Sequence, residues 1–170
     1  MYTMQDKLKF KDDVIKCINV CGGITGKYMK LICPDDELVF DLMKAEKIRR
    51  IPVEVVRSDK TKYKMYLFEG VSKLKPAKFP NMSEEDARKI SMLNHCYINN
   101  RNVVWMGQED INTFIGGSGL NAKLIPSLMY YKDTELFSVH IMKKSICLTE
   151  QEKADISNKL NVDCVLEYKY

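Results

Sequence analysis

Few residues of this chain have the types and spacing that catalysis demands. Gly22-Gly23-Ile24-Thr25-Gly26-Lys27-Tyr28 carries the glycines and lysine of a phosphate loop. Such a loop also needs a preceding strand, a glycine five residues before its final glycine and a Ser or Thr after the lysine to hold magnesium; Cys21 and Tyr28 stand at those positions. The segment is read as a turn between helices. Gly116-Gly117-Ser118-Gly119 is read as a connector, because no basic or hydroxyl signature opens a long helix after it. Cys17, Cys21 and Cys33 have no histidine in the first half of the chain to complete a zinc site. His95 stands beside Cys96, but neighbours on a helix point about 100° apart, which separates a nucleophile from its base.

What remains is charge. Residues 1–80 hold 17 Lys or Arg against 11 Asp or Glu, a net +6, while residues 81–170 hold 10 against 12, a net −2. Between Lys44 and Lys78 the ratio is 11 to 4, the electrostatic footprint of a surface for a polyanion. The candidate phosphate contacts are Lys27, Lys30, Lys44, Lys47, Arg49, Arg50, Arg57, Lys60, Lys62 and Lys64. With no constellation for catalysis and none for metal or cofactor, the reading is a non-catalytic protein that needs no cofactor.

The elements that would position these cations follow from hydrophobic period. Phe10, Val14, Ile15, Ile18 and Cys21 lie at helical spacing, and Gly22-Gly23 stops the helix. Thr25 is the expected cap of a short helix Gly26–Ile32, with Tyr28, Leu31 and Ile32 inward. Pro34 at a first helical position, followed by Asp35, Asp36 and Glu37, predicts a third helix to about Lys47, since carboxylates complement the positive end of its dipole. The period then changes to two. Residues 51–56 and 63–68 read as a hairpin around the polar turn 57–62. Three helices followed by a basic-tipped hairpin is the order of a winged helix-turn-helix, expected over 1–75.

Residues 70–82 are rich in proline, lysine and glycine and read as a linker. A mixed α/β lobe is expected over 83–170: a helix from Ser83 to about Tyr97, a strand 102–106, a short helix 109–115, strands 124–131 and 135–142, a helix opened by the capping box Thr149/Glu152, and a last strand 162–168. The fold class is thus α+β. With 170 residues, 45% of them hydrophobic, two small lobes can each bury a core. No apolar run reaches signal-peptide or membrane-span length, so a cytoplasmic protein without a membrane partner is expected, with its six cysteines buried as reduced thiols.

The α, β, β, β, α, β order of the second lobe resembles the restriction-endonuclease-like fold. That resemblance implies a metal site with Pro-Asp on the second core strand and Glu-x-Lys or Asp-x-Lys on the third. Here the strands read Ile125-Pro126-Ser127 and Phe137-Ser138-Val139-His140-Ile141, without those carboxylates, and Glu167-Tyr168-Lys169 lies on the last strand instead. The resemblance therefore implies a degenerate, inactive lobe. A winged helix joined to such a lobe is similar to the replication-relaxation proteins of bacterial plasmids and conjugative elements, in element order over most of the chain. It implies double-stranded DNA as partner and a regulatory or accessory role in replication, transfer or transcription, with the second lobe contacting another copy or another protein. One departure is the acidic start of the third helix, where carboxylates would repel phosphates. The alternative reading is a protein-interaction adaptor whose winged helix has lost DNA.

Overall fold

The computed structural model describes residues 2–71 and 81–170. Among these are six α-helices and two four-stranded sheets, a mixed α+β architecture. The chain divides into two compact units, Met1–Ile98 and Asn99–Tyr170.

In the first unit, helix α1 (Met4–Cys21) begins earlier than its apolar period suggests, because Thr3 and Asp6 form a capping box. The Asp6 N–H donates to Thr3 Oγ1 at 3.1 Å and the Thr3 N–H to Asp6 Oδ2 at 2.9 Å, satisfying two donors that a helix start leaves open. Gly22 ends α1 with φ 77°, a left-handed position that costs glycine nothing. Strand β1 (Ile24–Thr25) and helix α2 (Gly26–Ile32) follow. α2 turns Met29 and Ile32 inward and leaves Leu31 exposed, contrary to expectation: over seven residues one i, i+3 pair defines the inner face. Thr25 precedes α2 but its side chain makes no capping bond.

Helix α3 (Asp36–Lys44) is capped by Asp35, whose carboxylate accepts the N–H groups of Glu37 at 3.1 Å and Leu38 at 3.2 Å. Pro34 thus lies before the cap and not inside the helix. A side-chain acceptor capable of satisfying two N–H groups decides where the helix starts. The helix also ends before Lys47: Glu46 takes φ 52° and the Lys47 N–H returns to Leu42 O at 3.0 Å.

Strands β2 (Ile48–Val56) and β3 (Lys62–Gly70) pair antiparallel from Ile48↔Gly70 to Val56↔Lys62, longer than the expected hairpin at both ends. The turn is closed by Arg57 N–H to Thr61 O at 2.9 Å and by the Asp59 carboxylate, which takes the Thr61 N–H at 2.9 Å and hydroxyl at 2.6 Å. Lys60 sits there with φ 67°. β1 pairs with β3, and a further strand β4 (Asn81–Ser83) runs parallel to β2, giving the order β1-β3-β2-β4. The β4 ladder begins opposite Glu54, two residues past Pro52, so the missing proline donor interrupts no bond to β4.

Helix α4 (Glu84–Asn99) corrects the expectation from sequence, which assigned it to the second lobe. Its Ala87 and Ile90 pack with Met82 on Ile51, Val53, Val55 and Leu67 of the hairpin. The alternation along β2 and β3 creates an apolar face that needs cover, and α4 supplies it. Each fully buried Ile or Met there contributes on the order of 2 kcal/mol. Of the expected linker, residues 72–80 lie outside the described residues.

In the second unit, β5 (Val104–Trp105), α5 (Gln108–Ile115), β6 (Leu128–Lys132), β7 (Glu135–Met142), α6 (Glu150–Leu160) and β8 (Cys164–Lys169) follow in order. β5, β6 and β7 form an antiparallel run, and α6 carries the chain over to β8, parallel to β7. The expected strand from 124 starts only at Leu128, since Ala122–Leu124 is a 3-10 turn and Pro126 intervenes. The Thr149/Glu152 capping box of α6 is present as expected, with Thr149 N–H to Glu152 Oε2 at 2.7 Å. Ile111, Leu124, Met129, Leu136, Ile156 and Leu160 form the core. Cys147 is exposed and Cys164 half-buried, whereas Cys17, Cys21, Cys33 and Cys96 are buried as expected. Among the described residues no helix is long and apolar enough to cross a membrane.

Candidate nucleic-acid interface

Strand alternation divides the β2–β3 hairpin into two faces. Ile51, Val53, Val55, Tyr63, Met65 and Leu67 face the α4 side. Arg50, Pro52, Val56, Lys62, Lys64 and Tyr66 share the other, and all six are exposed. The same alternation that builds the core thus sorts the cations outward.

The ten basic residues singled out by sequence are not equivalent. Nine are exposed; Arg49 is half-buried. Arg49 donates from Nε to Glu69 Oε1 at 2.6 Å, and its Nη2 also reaches that carboxylate. Glu69 is 3% exposed, so Arg49 neutralises a buried charge, unlike the other nine. Lys62 pairs with Glu54 at 2.7 Å and Lys30 with Asp36 at 3.8 Å, both on the surface, where such pairs exchange easily for a phosphate. Lys60 projects from the turn, and Lys47 lies between α3 and β2.

Four of the remaining cations sit over aromatic rings. The Arg50 guanidinium lies 4.7 Å from the Tyr66 ring, Arg57 5.0 Å from Tyr63, Lys44 4.6 Å from Phe40 and Lys27 5.5 Å from Tyr28. Arg50 and Tyr66 are diagonal neighbours across the pair, since Pro52 stands opposite Tyr66. Lys44 and Phe40 are i, i+4 on α3. Sequence reasoning missed these rings. Their signal was the interleaving of Tyr63, Lys64 and Tyr66 at strand period.

The acidic end of α3 is internally satisfied. Lys7 of α1 pairs with Asp35 and Glu37, each at 3.5 Å. The N–H of Leu38, and then the Lys7 charge, hold the Asp35 carboxyl below its ordinary range, and Asp35 in turn raises the Lys7 ammonium. In the turn, the hydroxyl and N–H of Thr61 likewise lower Asp59.

In the second unit, Ser127 Oγ accepts the Ile141 N–H at 3.3 Å. His140 is buried and stands beside Glu167 in register across β7 and β8, and burial pushes its pKa down to about 4. The Glu-x-Lys pair of β8 is a clamp: Glu167 accepts from Lys169 at 2.6 Å, from Leu148 N–H at 3.1 Å and pairs with Lys153 of α6 at 3.4 Å. Lys169 also donates to Ile146 O, which ties the segment before α6 to β8. Glu135 is exposed at the other end of β7. Among the described residues no three of His, Cys, Asp and Glu converge to hold a metal ion.

Fold and site together define an α+β chain with a basic, ring-bearing hairpin on its first unit. No protein-family model matches the chain, and no curated protein or solved structure matches it either.

Proposed function

We propose that the first unit is a winged-helix module that binds DNA mainly through phosphate contacts, and that the protein is a non-catalytic regulatory or accessory factor. The observation that carries this reading is the order of elements: α1, β1, α2, α3, then a hairpin whose second strand pairs with β1, so that β3 lies between β1 and β2. In a winged helix that arrangement presents α3 and the hairpin on one side. The exposed cations of the hairpin support the same reading, since they outnumber the one carboxylate of that face, Glu54, and a phosphate backbone requires a net positive face. The strands β5 to β8 follow the strand order of a nuclease-like lobe but lack its opening helix, since α4 packs in the first unit; the resemblance to replication-relaxation proteins extends the proposal to a mobile element. The adaptor alternative uses the acidic end of α3, where Asp36 and Glu37 make exposed pairs with Lys30 and Lys7.

The test is the salt dependence of duplex binding. Each phosphate that a variant no longer neutralises lowers the slope of log affinity against log salt by roughly 0.9. Arg57→Ala with Lys60→Ala and Lys62→Ala therefore reduces the slope by up to roughly three, with little change in sequence preference. A triple variant that binds duplex like the wild type, at the same slope, refutes the winged-helix DNA reading.

A further inference from the structure

We propose, resting on that DNA reading, that the exposed face of the β2–β3 hairpin is a stacking platform for an unpaired base, so that the preferred ligand is a duplex carrying a single-stranded extension. Phosphate binding by itself calls only for cations. Yet Tyr66 is 52% exposed in the middle of this face, with the Arg50 guanidinium over its ring at 4.7 Å and Lys64 two residues away on the same side. Gly26 at the start of α2 leaves room beside the Tyr66 backbone, where a Cβ would come no closer than 3.6 Å. Pro52, directly across the ladder, offers a rigid apolar neighbour.

A half-exposed ring already packed against a cation needs less ordering when a ligand arrives. That is the condition under which base stacking adds affinity instead of being consumed by ordering. Phe40, also 52% exposed and under Lys44, repeats the device on α3. The acidic N-terminal end of α3, where Asp35, Asp36 and Glu37 meet Lys7 and Lys30, disfavours insertion of that end into a major groove. Recognition of bases then falls to the rings, which accept any base because every base has a π-face.

The experiment measures affinity of the full chain by fluorescence anisotropy at fixed salt for a blunt duplex, the same duplex with a short oligothymidine extension, and the same duplex with an abasic extension of equal charge. The base-bearing extension is expected to bind about tenfold more tightly than the abasic one. Tyr66→Ala abolishes that difference, and Tyr66→Phe retains it. Equal affinity of the wild type for base-bearing and abasic extensions overturns the proposal, as does a Tyr66→Ala variant that keeps the difference or weakens all three ligands equally. Absence of binding to every one of the three refutes the DNA reading itself, and the two failures are thereby distinguished.

Discussion

The side-chain amide of Asn94 completes the hydrogen bonding of the β1 segment at Thr25. Asn94 Oδ1 accepts the Thr25 N–H at 3.0 Å and its Nδ2 donates to Gly23 O at 2.8 Å, from a residue with no exposed surface. β1 pairs with β3 along one side only, so the amide of α4 stands in for the missing strand on the other. This single residue joins the hairpin sheet to α4 through polar contacts, beside the apolar ones.

Removal of that amide strands a donor and an acceptor inside the unit. Asn94→Ala is expected to cost about 2 to 4 kcal/mol, since each buried backbone group left unmet costs roughly 1 to 3. Urea denaturation of the full chain measures it, and a loss under about 0.5 kcal/mol would show that water replaces the amide. Thr25→Val has the opposite sign. Thr25 Oγ1 is buried without a hydrogen-bond partner among the described residues, so the isosteric change is expected to be neutral or to stabilise by up to about 1 kcal/mol.

The boundary of the first unit predicts the behaviour of fragments. A chain ending in the last turn of α4, at residue 98, keeps Ile51, Val53, Val55 and Leu67 covered and is expected to fold cooperatively. A chain ending at residue 75 exposes that face and is expected to aggregate or to melt without a sharp transition. Thermal melts followed by circular dichroism separate the two outcomes.

Acid sensitivity is expected from His140. Its folded-state pKa is lowered to about 4 by burial, against an ordinary value of 6.5. Between those values the unfolded chain binds more protons, so stability is full above pH 6.5 and falls as the pH drops toward 4. The loss across that window amounts to about 3 kcal/mol from this group. His140→Gln should flatten the dependence of unfolding free energy on pH over the same window, and an unchanged slope counts against the assignment.

Two neighbouring carboxylates at the start of α3 should behave differently. Asp35→Ala removes the cap and the Lys7 partner, and is expected to lower the melting temperature. Asp36→Ala breaks only a surface pair, frees Lys30, and is expected to leave duplex binding unchanged or improved. Weaker duplex binding by Asp36→Ala at unchanged stability would count against docking through phosphate contacts, whereas the adaptor reading predicts silent wing variants and loss of a protein partner on Asp36→Ala.

The local signals of the chain determined much of this protein. The period of α1, the Thr149/Glu152 box, the alternation at 51–56 and 63–68 and the sign of the charge between Lys44 and Lys64 are properties of neighbours in sequence, where 3.6- and 2-residue repeats and side-chain capping operate. The tertiary structure decided what depends on distant partners. Helix α4 looked like the opening of the second lobe because its apolar stripe cannot say which sheet it covers, and only the long-range match to Ile51, Val53 and Leu67 answers that. Arg49 looked like every other cation in the run, and only the ladder sets it against a buried carboxylate twenty positions away. Tyr66 and Arg50 lie sixteen residues apart, and their stacking exists only because the ladder sets Pro52 against Tyr66. Pairing register is a property of two strands together, and no spacing within either one contains it.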